Sequence, residues 1–151
     1  MWQTQVPFLF RQALNFLPII CAICDDYPYL CTIMEKFELH ILGSGSALPP
    51  ARHFPTSQVV NLRDKLFMID CGEGAQLQFR KSRLKFSRLN RIFISHLHGD
   101  HCFGLLGLIS TLNLLGRTAD LHIHSPKGLE ELLTPMLAFF NHQMTYKIFF
   151  H

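Results

Sequence analysis

The sequence is poor in several features that would each indicate a particular class of protein. Its 151 residues contain five cysteines, an odd number, and only 17% of the residues are charged. Cys21 and Cys24 have C-x-x-C spacing, but the second pair that a zinc knuckle needs is missing. The chain has no internal repeat, low-complexity tract or linker. These absences exclude a disulfide-stapled scaffold, a repeat array and a disordered chain.

The first 33 residues also lack a long apolar run. The apolar stretch 13–24 has twelve residues and contains Pro18, whereas a helix that spans a bilayer needs about 20. The basic cluster and the cleavage site of a signal peptide are missing too. Met34 then opens MEKFELHILGSGSA, which has the form of a natural start. We therefore expect residues 1–33 to be an atypical extension, from a start codon assigned too early, and the alternative is a poor signal or membrane-associating segment. We expect 34–151 to form the domain, without stable membrane association.

Hydrophobic periodicity from residue 34 onward predicts strands with helices between them. With 48% hydrophobic residues, the chain can bury one core. Alternating apolar residues over 37–41 predict a first strand, and SQVVNL and LFMID predict a hairpin. The remaining predicted elements are the strands RIFIS, DLHIHS and YKIFF and the helices 73–82, 101–115 and 126–140. Alternation of this kind indicates a layered α/β domain.

Three histidines and an aspartate lie close together in SHLHGDH, at residues 95–101. Neutral imidazole and carboxylate are the ligands that suit zinc, manganese or iron. His96 and His98 project to one side of an extended segment, whereas Asp100 and His101 begin the next helix. Two metal ions a few ångströms apart fit this geometry, and such a pair stabilises both oxygens of a hydrolytic displacement. The alternative is a polar helix cap with surface histidines.

Basic residues are concentrated in RKSRLKFSRLNR, at 80–91, where six of twelve side chains carry a positive charge. Such a stretch can contact the phosphates of a nucleic acid. A solvated helix face followed by a loop explains the same composition. Composition alone leaves both interpretations open.

Several segments together carry a resemblance to a known family. HLHGDH matches the H-x-H-x-D-H signature of the metallo-β-lactamase superfamily. LHILGSGSALP, RHFPTSQ, LFMIDCGEGAQLQ and LHIHSPKGL resemble ribonuclease Z, a family of endonucleases that remove the 3′ trailer from precursor tRNA. The resemblance covers 36–151. It implies a metallo-β-lactamase αββα sandwich, of which 34–151 corresponds to the N-terminal half, a mixed sheet with flanking helices.

The resemblance also implies roles for individual residues. His96 and His98 would bind one zinc ion and Asp100 and His101 a second, with Asp100 also accepting a proton. Asp70 would hold a loop of the site or an imidazole N–H, although a plain turn at a strand end explains it equally well. The first loop would approach the RNA with four residues, Arg52, His53, Thr56 and Ser57.

The family context sets further expectations. It implies two Zn²⁺ ions, precursor tRNA as substrate, a homodimer for the complete enzyme, and a cytoplasmic location. Further metal ligands of the family lie beyond this stretch, so we expect the chain alone to bind zinc weakly and to be inactive. The alternatives are another hydrolase of the metallo-β-lactamase fold and an inactive metal-binding fragment. The residues to which we assign packing or no role are Cys71, Cys102, His122, His124, His40, His142 and His151.

Overall fold

The computed structural model describes residues 37–46, 48, 53–140 and 143–151. They lie within one unit, Lys36–His151, whereas the predicted extension 1–33 falls outside the described residues. One six-stranded sheet organises this part of the chain. Its strands are β1 (Phe37–Gly43), β2 (Ser57–Leu62), β3 (Lys65–Ile69), β4 (Leu89–Phe93), β5 (Leu121–His124) and β6 (Ile148–Phe150).

The strands follow one another across the sheet in chain order, and the pairing changes midway. β1, β2 and β3 are antiparallel neighbours, whereas β3, β4, β5 and β6 are parallel. The β2–β3 hairpin turns at Arg63 and Asp64, which both have positive φ, as the two-residue turn that matches strand twist requires. The parallel half needs crossover connections, and these contain the helices. The predicted mixed sheet with flanking helices is confirmed.

Four α-helices occupy connections of the described chain: α1 (Ala75–Lys81), α2 (Gly99–Cys102), α3 (Leu105–Leu114) and α4 (Leu129–Phe140). A 3₁₀-helix, Phe86–Arg88, directly precedes β4. The sequence predicted one helix over 101–115, but the structure divides it at Phe103 and Gly104. The reason is a tertiary hydrogen bond, because the Gly104 N–H donates to the carbonyl of Cys71. No helix among the described residues is long and apolar enough to cross a membrane.

The core lies between the helices and one face of the sheet. Phe79 of α1, Leu108 of α3 and Leu133 of α4 pack in one cluster with alternate residues of the strands, including Met68 and Ile92. Alternation is expected because successive strand side chains point to opposite faces. This packing fixes the strand ends, where the candidate site lies.

The opposite face of β1 exposes apolar side chains. Phe37, Leu39 and Ile41 are 66%, 54% and 53% exposed, and β1 ends the strand order of the sheet. An end strand with exposed apolar side chains is a template for association with another chain.

We expect Leu39→Lys with Ile41→Lys to reduce self-association of the purified chain, because each lysine adds a charge to the end strand. Sedimentation velocity over a concentration series measures the effect. The matched control is Leu114→Lys, at an exposed leucine that ends α3 away from β1. Equal effects of the two variants would show that β1 is not the associating surface.

Candidate metal centre

The histidine cluster lies at the carboxyl end of β4. The strand ends at Phe93, and His98, which has an extended backbone, directly precedes the first turn of α2. Asp70 follows the neighbouring strand β3 directly, and β3 and β4 are parallel. The carboxyl ends of both strands therefore meet at one edge of the sheet, which brings Asp70 to the cluster.

The four predicted ligands form two pairs of donor atoms. Nε2 of His96 lies 3.1 Å from Nδ1 of His98. Nε2 of His101 lies 3.5 Å from Oδ2 of Asp100. The rings of His96 and His101 have centroids 3.9 Å apart, so the two pairs adjoin. Within the described ranges, no set of three or more His, Cys, Asp or Glu side chains is arranged to hold a metal ion.

Asp70 is the anchor of this edge. Its side chain is buried, and Oδ1 accepts hydrogen bonds from the backbone N–H of Ser95 at 2.8 Å and from Ser95 Oγ at 2.9 Å. Oδ2 lies 2.8 Å from Nδ1 of His101. An N–H at Nδ1 donates to this carboxylate and leaves Nε2 of His101 available as a ligand, the arrangement usual for metal-binding histidines. The structure thus places Asp70 beside an imidazole N–H.

Ser95 is a contact residue that sequence reasoning missed. Its Oγ lies 3.0 Å from Nδ1 of His96 and 3.3 Å from Nδ1 of His101, besides its contacts to Asp70. The only signal for it is its position as first residue of SHLHGDH. Ser95 joins the anchor to both donor pairs.

The surroundings shift the pKa values of His96 and His101 in opposite directions. Burial, and then the neighbouring rings of His101 and His98, lower the pKa of His96. Burial also opposes the charged form of His101, but the hydrogen bond and charge of Asp70, with the charge of Asp100, raise the pKa of His101 above its ordinary value. Because a metal binds an imidazole nitrogen that carries no proton, the lowered pKa of His96 favours metal binding there, and the raised pKa of His101 opposes it.

Backbone contacts fix the turn after Asp70 against the cluster. The N–H of Cys71 donates to the carbonyl of His101 at 2.7 Å, and that of Gly104 donates to the carbonyl of Cys71 at 2.8 Å. A Cβ on Gly72 would lie 2.5 Å from the carbonyl oxygen of Asp100, a distance that a real Cβ does not reach. Only glycine allows this approach.

The cysteines beside the cluster are buried free thiols. Burial, with the charge of Asp70, raises the pKa of Cys71 and also that of Cys102. Neither thiol ionises readily near neutral pH, and Cys102 Sγ donates to the carbonyl of His98 at 3.3 Å. Both behave as packing residues, as the sequence predicted.

The predicted RNA-binding residues of the first loop differ in exposure. Arg52 lies outside the described residues. His53 is exposed, whereas Thr56 and Ser57 are buried. The carbonyl of Thr56 accepts from the N–H of Gly72, which joins this loop to the turn beside the cluster. The RNA-binding role of all four residues stays a prediction.

Histidines that received no ligand role lie elsewhere on the sheet, and His142 is outside the described residues. Nδ1 of His122 is 2.9 Å from Nε2 of His151, and the ring of His124 stacks on that of His151 with centroids 4.6 Å apart. His40 lies on β1, with Nε2 3.7 Å from a carboxylate oxygen of Glu38.

Comparison with known proteins agrees with this architecture. The profile of a family described as "Anti-Pycsar protein Apyc1" matches residues 37–148. Ribonuclease Z of Bacteroides fragilis is 85% identical over 118 residues, which are 78% of this chain and 39% of that protein. The chain therefore spans about two fifths of the length of this relative. The resemblance to ribonuclease Z that the sequence motifs indicated is confirmed.

Solved structures give the same result at the level of the fold. The crystal structure of human tRNase Z, short form, matches with a TM-score of 0.70 and 34% identity, over 75% of this chain and 44% of that one. The metallo-β-lactamase fold protein YhfI from Bacillus subtilis matches with a TM-score of 0.58 and 15% identity, over 78% of this chain and 46% of that one. The second similarity shows the fold alone.

The anchor role of Asp70 predicts that Asp70→Asn destabilises the chain by about 1–3 kcal/mol, because a buried amide cannot replace the charged acceptor of the Ser95 and His101 hydrogen bonds. Asparagine tolerates the positive φ of this position, so the backbone is preserved. Urea unfolding in the presence of a chelator measures the loss.

The matched control is Asp64→Asn. Asp64 is 64% exposed and pairs with Arg88 at 2.7 Å, and an exposed pair of this kind contributes less than about 1 kcal/mol. Equal losses of stability in the two variants would contradict the anchor role.

Proposed function

The chain belongs to the family that the Apyc1 profile describes, and from this premise we propose that it carries the metal-binding segment of a ribonuclease Z-like endonuclease. The reaction is hydrolysis of a phosphodiester that removes the 3′ trailer from precursor tRNA. One observation carries the proposal: a short segment after β4 brings two donor pairs together, while Asp70 holds the ring of His101. The relative at 85% identity supports the substrate.

The donor atoms fit zinc in both chemistry and spacing. Two imidazole nitrogens bound to the same tetrahedral zinc ion are about 3.3 Å apart. A carboxylate oxygen and an imidazole nitrogen bound to the same ion are about 3.4 Å apart. The observed distances of 3.1 Å for His96 and His98 and 3.5 Å for Asp100 and His101 are close to these values. We assign the first pair to one zinc ion and the second pair to the other. Two protein donors for each ion support the expectation of weak zinc binding by this chain.

Zinc, when bound, supplies Lewis-acid activation of water and stabilises the charge on the phosphodiester. The protein residues supply position and proton transfer. Asp100 lies in the first turn of the short helix α2, where its carboxylate is mostly buried. We assign it to accept the proton of the attacking water. Asp70 and Ser95 orient the imidazoles, because their contacts fix the rings on the Nδ1 side.

The basic stretch lies at the opposite end of β4 from the donor pairs. Residues 82–88 connect α1 to the start of β4. Arg83 and Lys85 are exposed there, whereas Arg88 is paired with Asp64. We assign Arg83 and Lys85 to contacts with the tRNA backbone, which is long enough to cover both ends of the strand.

The assembled protein is proposed from the family resemblance. It is a homodimer in the cytoplasm, with precursor tRNA as its substrate. Arg52, His53, Thr56 and Ser57 remain assigned to the loop that approaches the RNA. Among the described members of this set, His53 is exposed, whereas Thr56 and Ser57 are buried, so we assign the direct contact to His53.

A hydrolase of the same fold with another substrate is the alternative. The family profile bears the name of a different protein from the relatives, so membership of the family does not select the substrate. A catalytically inactive metal-binding fragment is the alternative of another class. Both are distinguished from the proposal by cleavage of a precursor tRNA.

The test is a chimaera in which residues 34–151 replace the matching segment of Bacteroides fragilis ribonuclease Z. We expect it to cleave a precursor tRNA with a 3′ trailer, and we expect Asp100→Asn to reduce kcat by about 10²-fold or more. Affinity for the tRNA should change little, because phosphate contacts supply most of it. Gel-based cleavage and filter binding measure the two quantities.

The control is Glu130→Gln, a carboxylate-to-amide change at an exposed position of α4 that lies outside the basic stretch and the first loop. A chimaera that binds zinc but cleaves no precursor tRNA would favour the alternative hydrolase. Loss of tRNA affinity equal to the loss of cleavage would contradict the role of Asp100.

Neutralising Arg83 and Lys85 with glutamine in the chimaera should weaken tRNA binding and reduce the slope of log K against log salt by up to about 2. The control combines Arg88→Gln with Asp64→Asn, which removes an exposed ion pair without changing net charge. Binding measured from low to high salt decides the outcome. An unchanged slope would favour the other interpretation of 80–91, a solvated helix face followed by a loop.

A further inference from the structure

An exposed aromatic side chain lies beside the candidate metal centre. Phe103 is 72% exposed, whereas its neighbours along the chain, Cys102 and Gly104, are buried. It lies at the point where α2 has ended and α3 has not yet begun. Single exposed apolar side chains are common on protein surfaces. The position of Phe103 relative to the donor pairs therefore decides whether it has a role.

The ring of Phe103 lies over Gly99. A Cβ on Gly99 would lie 2.6 Å from Cζ of the ring and 2.8 Å from Cδ2, closer than real Cβ atoms come. Gly99 stands between His98, which belongs to the first donor pair, and Asp100, which belongs to the second. The ring therefore covers the short piece of backbone that joins the two pairs.

Backbone contacts hold Phe103 in this position. Its N–H donates to the carbonyl of Gly99 at 2.9 Å, and the N–H of the next residue, Gly104, donates to the carbonyl of Cys71. Phe103 has helical φ and ψ, and residues three apart on a helix have Cβ atoms about 5–6 Å apart. Phe103 and Asp100 have this spacing. The ring is therefore within one nucleotide of a phosphodiester that lies at the donor pairs.

The chemistry of the segment favours a base over a phosphate as the group that meets this ring. Residues 95–103, SHLHGDHCF, contain no lysine or arginine, so no basic side chain of this segment pairs with the RNA backbone. An exposed aromatic ring offers an uncharged face, and unpaired bases stack on such faces. The 3′ trailer of a precursor tRNA is single-stranded, whereas the base before the cleaved bond belongs to the tRNA itself and can stack on its paired end.

We propose that Phe103 stacks on the base of the first trailer nucleotide, directly 3′ of the cleaved phosphodiester. This inference rests on the proposed function, because it requires an RNA phosphodiester at the donor pairs. Stacking of this kind accepts every base, since each has a π-face. Phe103 is thus a substrate-binding residue that positions the leaving strand beside Asp100.

The test is a double-mutant cycle in the chimaera that carries residues 34–151. All proteins in the cycle also carry Asp100→Asn, which slows cleavage so that the precursor tRNA stays intact during binding. The RNA has either a normal or an abasic first trailer nucleotide. We expect Phe103→Ala to weaken binding of the normal precursor about fivefold or more, as loss of one base–aromatic stack does. The same variant should leave binding of the abasic precursor unchanged.

Two further variants separate stacking from a merely structural effect. Phe103→Trp keeps an aromatic face and should bind the normal precursor at least as tightly as the chimaera with Phe103. Phe139→Ala is the matched control, because Phe139 is also 72% exposed but lies near the far end of α4. It should leave the affinity for both RNAs unchanged. Filter binding gives the affinities, and urea unfolding checks that each variant folds.

The possible outcomes distinguish this inference from the proposed function. Equal losses of affinity for the two RNAs in Phe103→Ala, no loss for either, or coupling to an abasic nucleotide on the 5′ side of the bond would each overturn the stacking role. A chimaera without Asp100→Asn that cleaves normally in any of these cases retains the proposed function. Coupling at the trailer base in a chimaera that does not cleave would contradict the proposed function alone. Absence of precursor binding would overturn both.

Discussion

The contacts of the Asp70 carboxylate are the interaction on which the candidate metal centre depends. A charge buried among apolar strands is stable only where donors converge on it, and here the donors are the Ser95 N–H, the Ser95 hydroxyl and the His101 ring. These groups come from the segment after β4, so one side chain ties two neighbouring strand ends together. The parallel pairing of β3 and β4 is what brings them within reach. The backbone of Asp70 adopts positive φ, a conformation that this network compensates.

The turn after Asp70 extends the same constraint into the backbone. Cys71 bonds to His101 through its N–H and to Gly104 through its carbonyl, so the turn is held between the ends of α2 and the start of α3. The short helix α2 and its donor atoms are thereby positioned by contacts that lie outside the helix itself. Because Gly72 has no Cβ, Asp100 can come close enough for these bonds to form.

Much of the fold could be predicted because the signals were local. Alternation over 37–41 and the turn at Arg63 and Asp64 depend on adjacent residues, and β1, β2 and β3 follow from them. The division between α2 and α3 could not be predicted, because it depends on a hydrogen bond from Gly104 to Cys71, a residue distant in sequence. Apolar periodicity continues through this point and carries no sign of that bond.

The site shows the same distinction. The types of the candidate ligands could be predicted from SHLHGDH alone. The contacts of Ser95 could not, because they require the folded sheet, in which the end of β3 places Asp70 beside it. The contacts of Arg117 have the same character. Its acceptors are Asn90 within β4 and the carbonyl of Asp120 just before β5, and Tyr146 comes from a third segment. No short window of the sequence contains such a set.

The burial of Cys71 has a consequence for the chemical durability of the cluster. Zinc prefers thiolate sulfur to many other donors, and thiolate is also the form of cysteine that oxidants attack. Cys71 is fully enclosed by the protein, and the negative charge of Asp70 beside it disfavours the ionised thiol. Burial first, and then the carboxylate that also orients the imidazole, raises the pKa of this thiol. A buried thiol with a raised pKa is a poor competitor for a metal at the neighbouring nitrogen and oxygen donors, and it is also a poor target for oxidants.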